Sequence, residues 1–387
     1  MEMITQIKQK VAFNNKIIKT INELQQLSLS RWLSKDERAS IALEIEKLAT
    51  SLESNDRIEN SEILESMKKY DLDGAQLQSI NVEYVLERCI VKGEITLIVA
   101  PPGHGKSSMA LAIAHHCLSF YRIESVIYLD LDNSLVTLAD RHLDKLKEFH
   151  QNKLKYIHNT TATKHDMQHL LIMMSNSVLH DSLIIFDSAK NFMGDGKDRD
   201  NNKDVSSFMQ TVKYIRDSGA TVIMLHHVNK PQKDVETIFA GAAAWMEDVS
   251  SLFMLKQNRY KNSFILTPHK ERVGTLCEIA YIFDKSKNEI TECDLFYAKE
   301  TQEDEEIRNS IYEFIRNHIS KPTYSEILEH CTQNCGYAKN KVNSVIQAAK
   351  EHYWKAIKEK ENHNRDVYIL LDRSDKLDSS KSILKDL

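Results

Sequence analysis

Glu94-Ile95-Thr96-Leu97-Ile98-Val99-Ala100-Pro101-Pro102-Gly103-His104-Gly105-Lys106-Ser107-Ser108 is the stretch on which the fold turns. Residues 95–99 are an apolar run of strand length, residues 108–118 are helix-forming, and a glycine-containing loop joins them, which is the strand, loop, helix context that a phosphate loop needs. Gly103 and Gly105 let the backbone curl so that its N–H groups face an anion, and the helix N-terminus adds a favourable dipole. Lys106 is placed to reach β- and γ-phosphates and the Ser107 hydroxyl to hold Mg²⁺, so ATP and Mg²⁺ are the expected cofactors. The expected nucleotide-binding segment runs from Ala100 through Pro101, Pro102, Gly103, His104, Gly105, Lys106 and Ser107 to Ser108, with Ala in the first position where Gly is usual.

Outward from this loop, further short apolar runs recur at 126–131, 183–186, 221–225, 251–255 and 264–266, separated by polar helical segments. Runs this apolar fit strands buried on both faces, so residues 81–298 read as an α/β domain with a mostly parallel twisted sheet flanked by helices. Ligands of such sheets collect at the carboxyl ends of the strands. Three more polar clusters lie at such ends. Leu183-Ile184-Ile185-Phe186-Asp187 closes on an acid suited to Mg²⁺, opposite Ser107. Val126-Ile127-Tyr128-Leu129-Asp130-Leu131-Asp132 ends in two carboxylates, and Val222-Ile223-Met224-Leu225-His226-His227 in paired imidazoles.

With these four elements in order, the chain resembles the RecA-like ring ATPases, and among them the hexameric plasmid replicative helicases of the RepA kind. The likeness rests on about 200 residues: 94–108, 126–133, 184–192, 222–230 and 238–255. It implies a water-activating acid at the end of the strand next to the P-loop strand, for which Asp132 is favoured and Asp130 comes second; the usual residue is Glu. It also implies a γ-phosphate sensor at His226 or His227. Further, it implies a homo-oligomeric ring, a hexamer in the family, in which a neighbour supplies a cation, here Lys270 or Arg272 of Lys270-Glu271-Arg272. Two loops, 194–204 and 229–239, would face the channel and single-stranded DNA, the second through Lys230 and Lys233.

The flanks extend beyond that family's bare core. Residues 1–80 carry apolar positions at three- and four-residue spacing (Ile17, Ile21, Leu24, Leu27; Ile41, Ile45, Leu48, Leu52) and read as two or three amphipathic helices. The acidic run 299–306 reads as a linker. Residues 307–372 show three helices and two strands, the order of a winged helix-turn-helix domain, and 373–387 read as a flexible tail. Between 336 and 365 seven Lys or Arg face three acids, a local excess of +4; Lys339, Lys341, Lys358 and Lys360 are the candidates there for contact with duplex DNA.

The formal net charge of −5 argues against a chain that coats nucleic acid nonspecifically. No stretch approaches the length of a membrane span, six scattered cysteines suit a reducing compartment, and a cytoplasmic location is expected. His330, Cys331 and Cys335 come nearest to a metal cluster but lack a fourth ligand. The functional expectation is an ATP-hydrolysing DNA motor, a RepA-like helicase or translocase of a plasmid or other mobile element. The alternative is a DNA-dependent ATPase that regulates or remodels without unwinding.

Overall fold

The computed structural model describes residues 2–30, 33–54, 60–78, 80–194, 196–198, 200–227, 244–359 and 365–371, in two compact units, Met1–Asn81 and Val82–Leu387. The first unit holds α1 (Glu2–Ser28), α2 (Lys35–Ser54), α3 (Asn60–Met67) and the short α4 (Gly74–Gln78). The expected apolar spacing brings α1 against α2: Ile17 is buried and Ile21, Leu24, Ile41, Ile45 and Leu48 are half-buried. A reciprocal pair of bonds between Ser34 and Glu37 caps α2 (2.7 and 3.2 Å).

In the second unit a small hairpin, β1 (Tyr84–Leu86) and β2 (Ile90–Val91), precedes the core. The core runs β3 (Ile95–Ala100), α5 (Lys106–Ser119), β4 (Ser125–Asp130), α6 (Leu135–Asp140), α7 (Leu143–His150), β5 (Leu154–His158), α8 (Lys164–Ser175), β6 (Ser182–Asp187), α9 (Asn202–Asp217), β7 (Thr221–His227), α10 (Ala244–Glu247) and β8 (Ser251–Asn258). An antiparallel meander then adds β9 (Ser263–Glu271), β10 (Ile279–Asp284) and β11 (Glu289–Cys293). Together they make one nine-stranded sheet of order β11-β10-β9-β8-β3-β7-β6-β4-β5, parallel from β8 to β5. This is the RecA-like α/β core expected from the sequence. Alternation along each strand divides its side chains between two layers. Ile98 and Ala100 pack with α5, α6 and α7; Ile95, Leu97 and Val99 pack with α8 and α9 and with Trp245 of α10. Strands β5, β10 and β11 escape the sequence reading because they are half-exposed and mix polar with apolar residues.

The acidic run 299–306 is not a linker. It spans the end of α11 (Leu295–Lys299) and the first turn of α12 (Gln302–Asn317), where Thr301 and Asp304 form a capping box. Acids there favour helix initiation through the dipole. Glu300 is buried, paired with Lys261 (2.9 Å) and Arg308 (2.5 Å), so this junction is an internal ionic cluster. Beyond it lie α13 (Tyr324–Glu329), α14 (Lys339–Ala348), β12 (Trp354–Glu359) and β13 (Arg365–Leu370). They enclose their own core of Ile311, Ile327, Val342, Ile346 and Trp354. An antiparallel bridge between Thr323 and Val367 adds the segment before α13 to the β12-β13 hairpin. Among the described residues no helix is long and apolar enough to cross a membrane.

Candidate nucleotide-binding and hydrolysis site

The loop after β3 folds as its glycines require. Gly103 and Gly105 both take positive φ (+75° and +78°), and Gly105 is the residue before α5. At Gly105 a side chain is excluded twice over, because a Cβ would lie 2.5 Å from the Phe264 ring. Lys106 is 7 % exposed, and its ammonium donates to the carbonyls of Ala100 (2.9 Å) and Pro101 (3.2 Å) and lies 3.3 Å from His227 Nδ1. Burial pulls its pKa down to about 8, against the opposing pull of Asp187 and Asp132. The loop thus satisfies this charge internally with its own weak, neutral acceptors.

At the ends of β4 and β6 the register sets Asp130 beside Asp187, both buried. Asp187 accepts from the Tyr128 hydroxyl (2.9 Å), from Asn133 Nδ2 (2.9 Å) and from the Ser107 hydroxyl. Burial first, and the Asp130 charge second, hold its carboxyl above the usual carboxylate range. Asp130 is spent on structure: it accepts from the backbone N–H groups of Asp132 (2.8 Å) and Asn133 (3.0 Å) and from the Tyr156 hydroxyl (2.6 Å). Two adjacent buried carboxylates with only neutral donors around Asp187, one of them the Ser107 hydroxyl, fit a divalent cation, which supplies the missing compensating charge.

The strand carrying Asp132 is not the sheet neighbour of the P-loop strand; β7 and β6 lie between β3 and β4. The loop after β4, pinned by Asp130, instead brings Asp132 across those ends, to 3.6 Å from His227 Nε2 and 3.5 Å from Asn191 Nδ2. His227 chiefly, with Lys190 and Asn191 assisting, keeps the Asp132 carboxyl below its ordinary value. The paired histidines part company because consecutive strand residues face opposite sides. His227 lies opposite Ala100 in the β3-β7 register and bridges Lys106 and Asp132. His226 is fully buried on the other face, stacked on Trp245 at 4.8 Å.

Lys270 and Arg272 are not in this site. Lys270 donates to the carbonyls of Met246 and Glu247 and Arg272 to that of Glu247, at the end of α10. Glu271 pairs with Ser251, and Ser251 with Thr96, which places them at the opposite end of the sheet from Lys106. Of the candidate DNA-contacting lysines, Lys339 and Lys358 are exposed, whereas Lys341 is tied to Asp304 (2.7 Å). Lys230, Lys233 and Lys360, with the whole loop 229–239, lie outside the described residues; in the loop 194–204, Lys197 pairs with Asp204 (3.0 Å).

Sequence reasoning missed Tyr128, Asn133, Tyr156, Asn191 and Arg259. Tyr128 carried a readable signal, a lone hydroxyl in an otherwise aliphatic strand that must end at a polar partner. Arg259, in the β8-β9 turn, carried none; its guanidinium donates to the Gly103 carbonyl (3.2 Å) across 156 positions of sequence.

Residues 64–233 match the family model described as an AAA domain. No curated protein matches the chain. Among solved structures, the ATPase domain of a DnaB-like helicase aligns at 13 % identity and a TM-score of 0.43, over 62 % of this chain and 100 % of that one. The RadB recombinase aligns at 14 % identity and a TM-score of 0.39, over 53 % of this chain and 93 % of that one.

Proposed function

We propose that this chain, a RecA-like P-loop ATPase, is a DNA-associated motor that works as an oligomeric ring. The observation that carries the reading is the convergence of Lys106, Asp187, Asp132 and His227 at the carboxyl ends of β3, β6, β4 and β7. In this reading Lys106 exchanges the carbonyls of Ala100 and Pro101 for β- and γ-phosphate oxygens, which are stronger, anionic acceptors. Ser107 and Asp187 hold Mg²⁺, which neutralises charge on the phosphates. Asp132, kept ionised by His227, accepts the proton of the attacking water. His227 contacts both Lys106 and Asp132, so it is the imidazole that senses the γ-phosphate.

Lys270 and Arg272 lie too far from their own P-loop to act there, since four to five strand residues at ~3.3 Å each separate the two ends of the sheet. They act, in this proposal, in the site of a neighbouring subunit. The C-terminal module is a winged helix-turn-helix: the bridge between Thr323 and Val367 joins the segment between its first two helices to the wing hairpin. Exposed Lys339, at the start of α14, and Lys358, on β12, would meet the DNA backbone. A RepA-like role on a plasmid or other mobile element is the specific form we favour.

A regulator that hydrolyses ATP without unwinding uses the same residues, and the short Asp132, already held by His227, favours slow turnover. The test is the ATPase rate without DNA, with single-stranded DNA and with duplex, alongside the assembly mass with and without nucleotide. Stimulation by DNA and a nucleotide-dependent oligomer are expected. A monomer indifferent to DNA would sink the reading. Separation of a forked duplex distinguishes motor from regulator.

A further inference from the structure

The β8-β9 turn, residues 258–262, touches the P-loop on one side and the C-terminal module on the other. On the P-loop side Arg259 donates to the Gly103 carbonyl at 3.2 Å, and Phe264, just beyond the turn, fills the space against Gly105. Arg259 is exposed, and among the described residues no carboxylate pairs with it, so most of its donors remain available to a ligand. On the other side Asn258 Nδ2 donates to the carbonyls of Ala298 and Glu300 (both 2.9 Å). The Tyr260 hydroxyl donates to Glu305 (2.6 Å), and buried Lys261 reaches both Glu300 (2.9 Å) and Glu305 (2.6 Å). Glu300 and Glu305 are in turn held by Arg308 of α12.

We infer that this turn couples occupancy of the phosphate loop to the C-terminal module, with Arg259 as its nucleotide contact. The inference rests on the reading of the loop as an ATP site. The acceptor that holds the guanidinium here is a neutral carbonyl; phosphate oxygens are acceptors roughly twice as strong, so a bound triphosphate draws Arg259 toward itself. The turn cannot follow without pulling the first turn of α12, because Tyr260 and Lys261 are bonded to Glu305 there and the Lys261–Glu300 pair is buried. The carboxylates around Arg308 then shift the element that carries the module's core residues Ile307 and Ile311. A nucleotide-dependent change in the module follows without any contact between nucleotide and module.

The experiment uses the full chain with a fluorescent ATP analogue and Mg²⁺. It measures affinity, and it measures amide hydrogen exchange across α12 with and without saturating nucleotide, for wild type, Arg259→Ala and Arg259→Lys. In wild type, nucleotide should change exchange in α12. Arg259→Ala should weaken binding about tenfold, as expected on losing a hydrogen bond to a charged group, and abolish the α12 response even at saturation. Arg259→Lys should restore part of both. Unchanged affinity in Arg259→Ala, or an α12 response equal to wild type, would overturn the inference. Saturable binding to wild type with a silent α12 overturns the coupling alone, whereas no binding to wild type removes the ATP reading and the coupling together.

Discussion

Lys106→Met should make the nucleotide-free protein more stable while abolishing nucleotide binding. The ammonium is 7 % exposed, and burial lowers its pKa from 10.5 to about 8. At ~1.4 kcal/mol per unit, holding it charged below pH 8 costs the fold about 3 kcal/mol. Methionine removes that cost and keeps the stem's packing. It also leaves the Ala100 and Pro101 carbonyls without their donor, an offset of about 1–2 kcal/mol for the two bonds. The net gain is about 1–2 kcal/mol at pH 7, a rise in melting temperature of roughly 3–6 °C.

The pH dependence has a definite sign. Between pH 8 and 10.5 the unfolded chain keeps a proton on this lysine that the folded chain has released, so wild-type stability rises with pH across that window. The advantage of Lys106→Met should therefore be constant below pH 8 and close toward pH 10.5. Thermal melts of both proteins at pH 7, 9 and 10, with binding of a fluorescent ATP analogue as the functional control, test this. A variant less stable than wild type at pH 7, or a gap that widens with pH, would refute the account of Lys106 as a strained charge awaiting phosphate.

Asp132→Asn should retain nucleotide affinity but lower steady-state phosphate release by about 10²–10⁴-fold, the range for loss of a general base; release at the wild-type rate would remove Asp132 from the chemistry. His227→Ala should leave the melting temperature near wild type and impair turnover. His226→Ala, which empties the space against Trp245, should instead destabilise the fold by about 2–3 kcal/mol, so equal stability of the two would contradict their assignment to opposite faces. Glu300→Ala strands Lys261 and Arg308 in a buried site and should cost about 3–5 kcal/mol, read as a loss of hydrogen-exchange protection in α12. If Arg272 acts in a neighbour's site, Arg272→Ala and Asp132→Asn should each be inactive alone and regain phosphate release when mixed; a mixture as inactive as its parts would exclude action between subunits.

The sequence by itself settles what short-range chain geometry controls. Strand, glycine loop and helix from Glu94 to Leu118 are continuous in the chain, so the phosphate cradle needs no distant partner to be recognised. Asp187 is legible for the same reason, being the first polar residue after a fully buried strand. Alternation and apolar runs likewise give the α/β class. Only the tertiary structure decides the rest, because pattern tells which residues are buried but not which strands are neighbours. The insertion of β7 and β6 between β3 and β4 makes Asp132 reach across strand ends, and the register of β7 on β3 selects His227 over His226. The acids at 299–306 look like a solvated linker until Lys261 and Arg308, one of them from a turn some 40 residues earlier, are found against Glu300. Ionic partners of that kind are long-range by nature, and composition cannot distinguish a charge that meets water from one that meets its counterion.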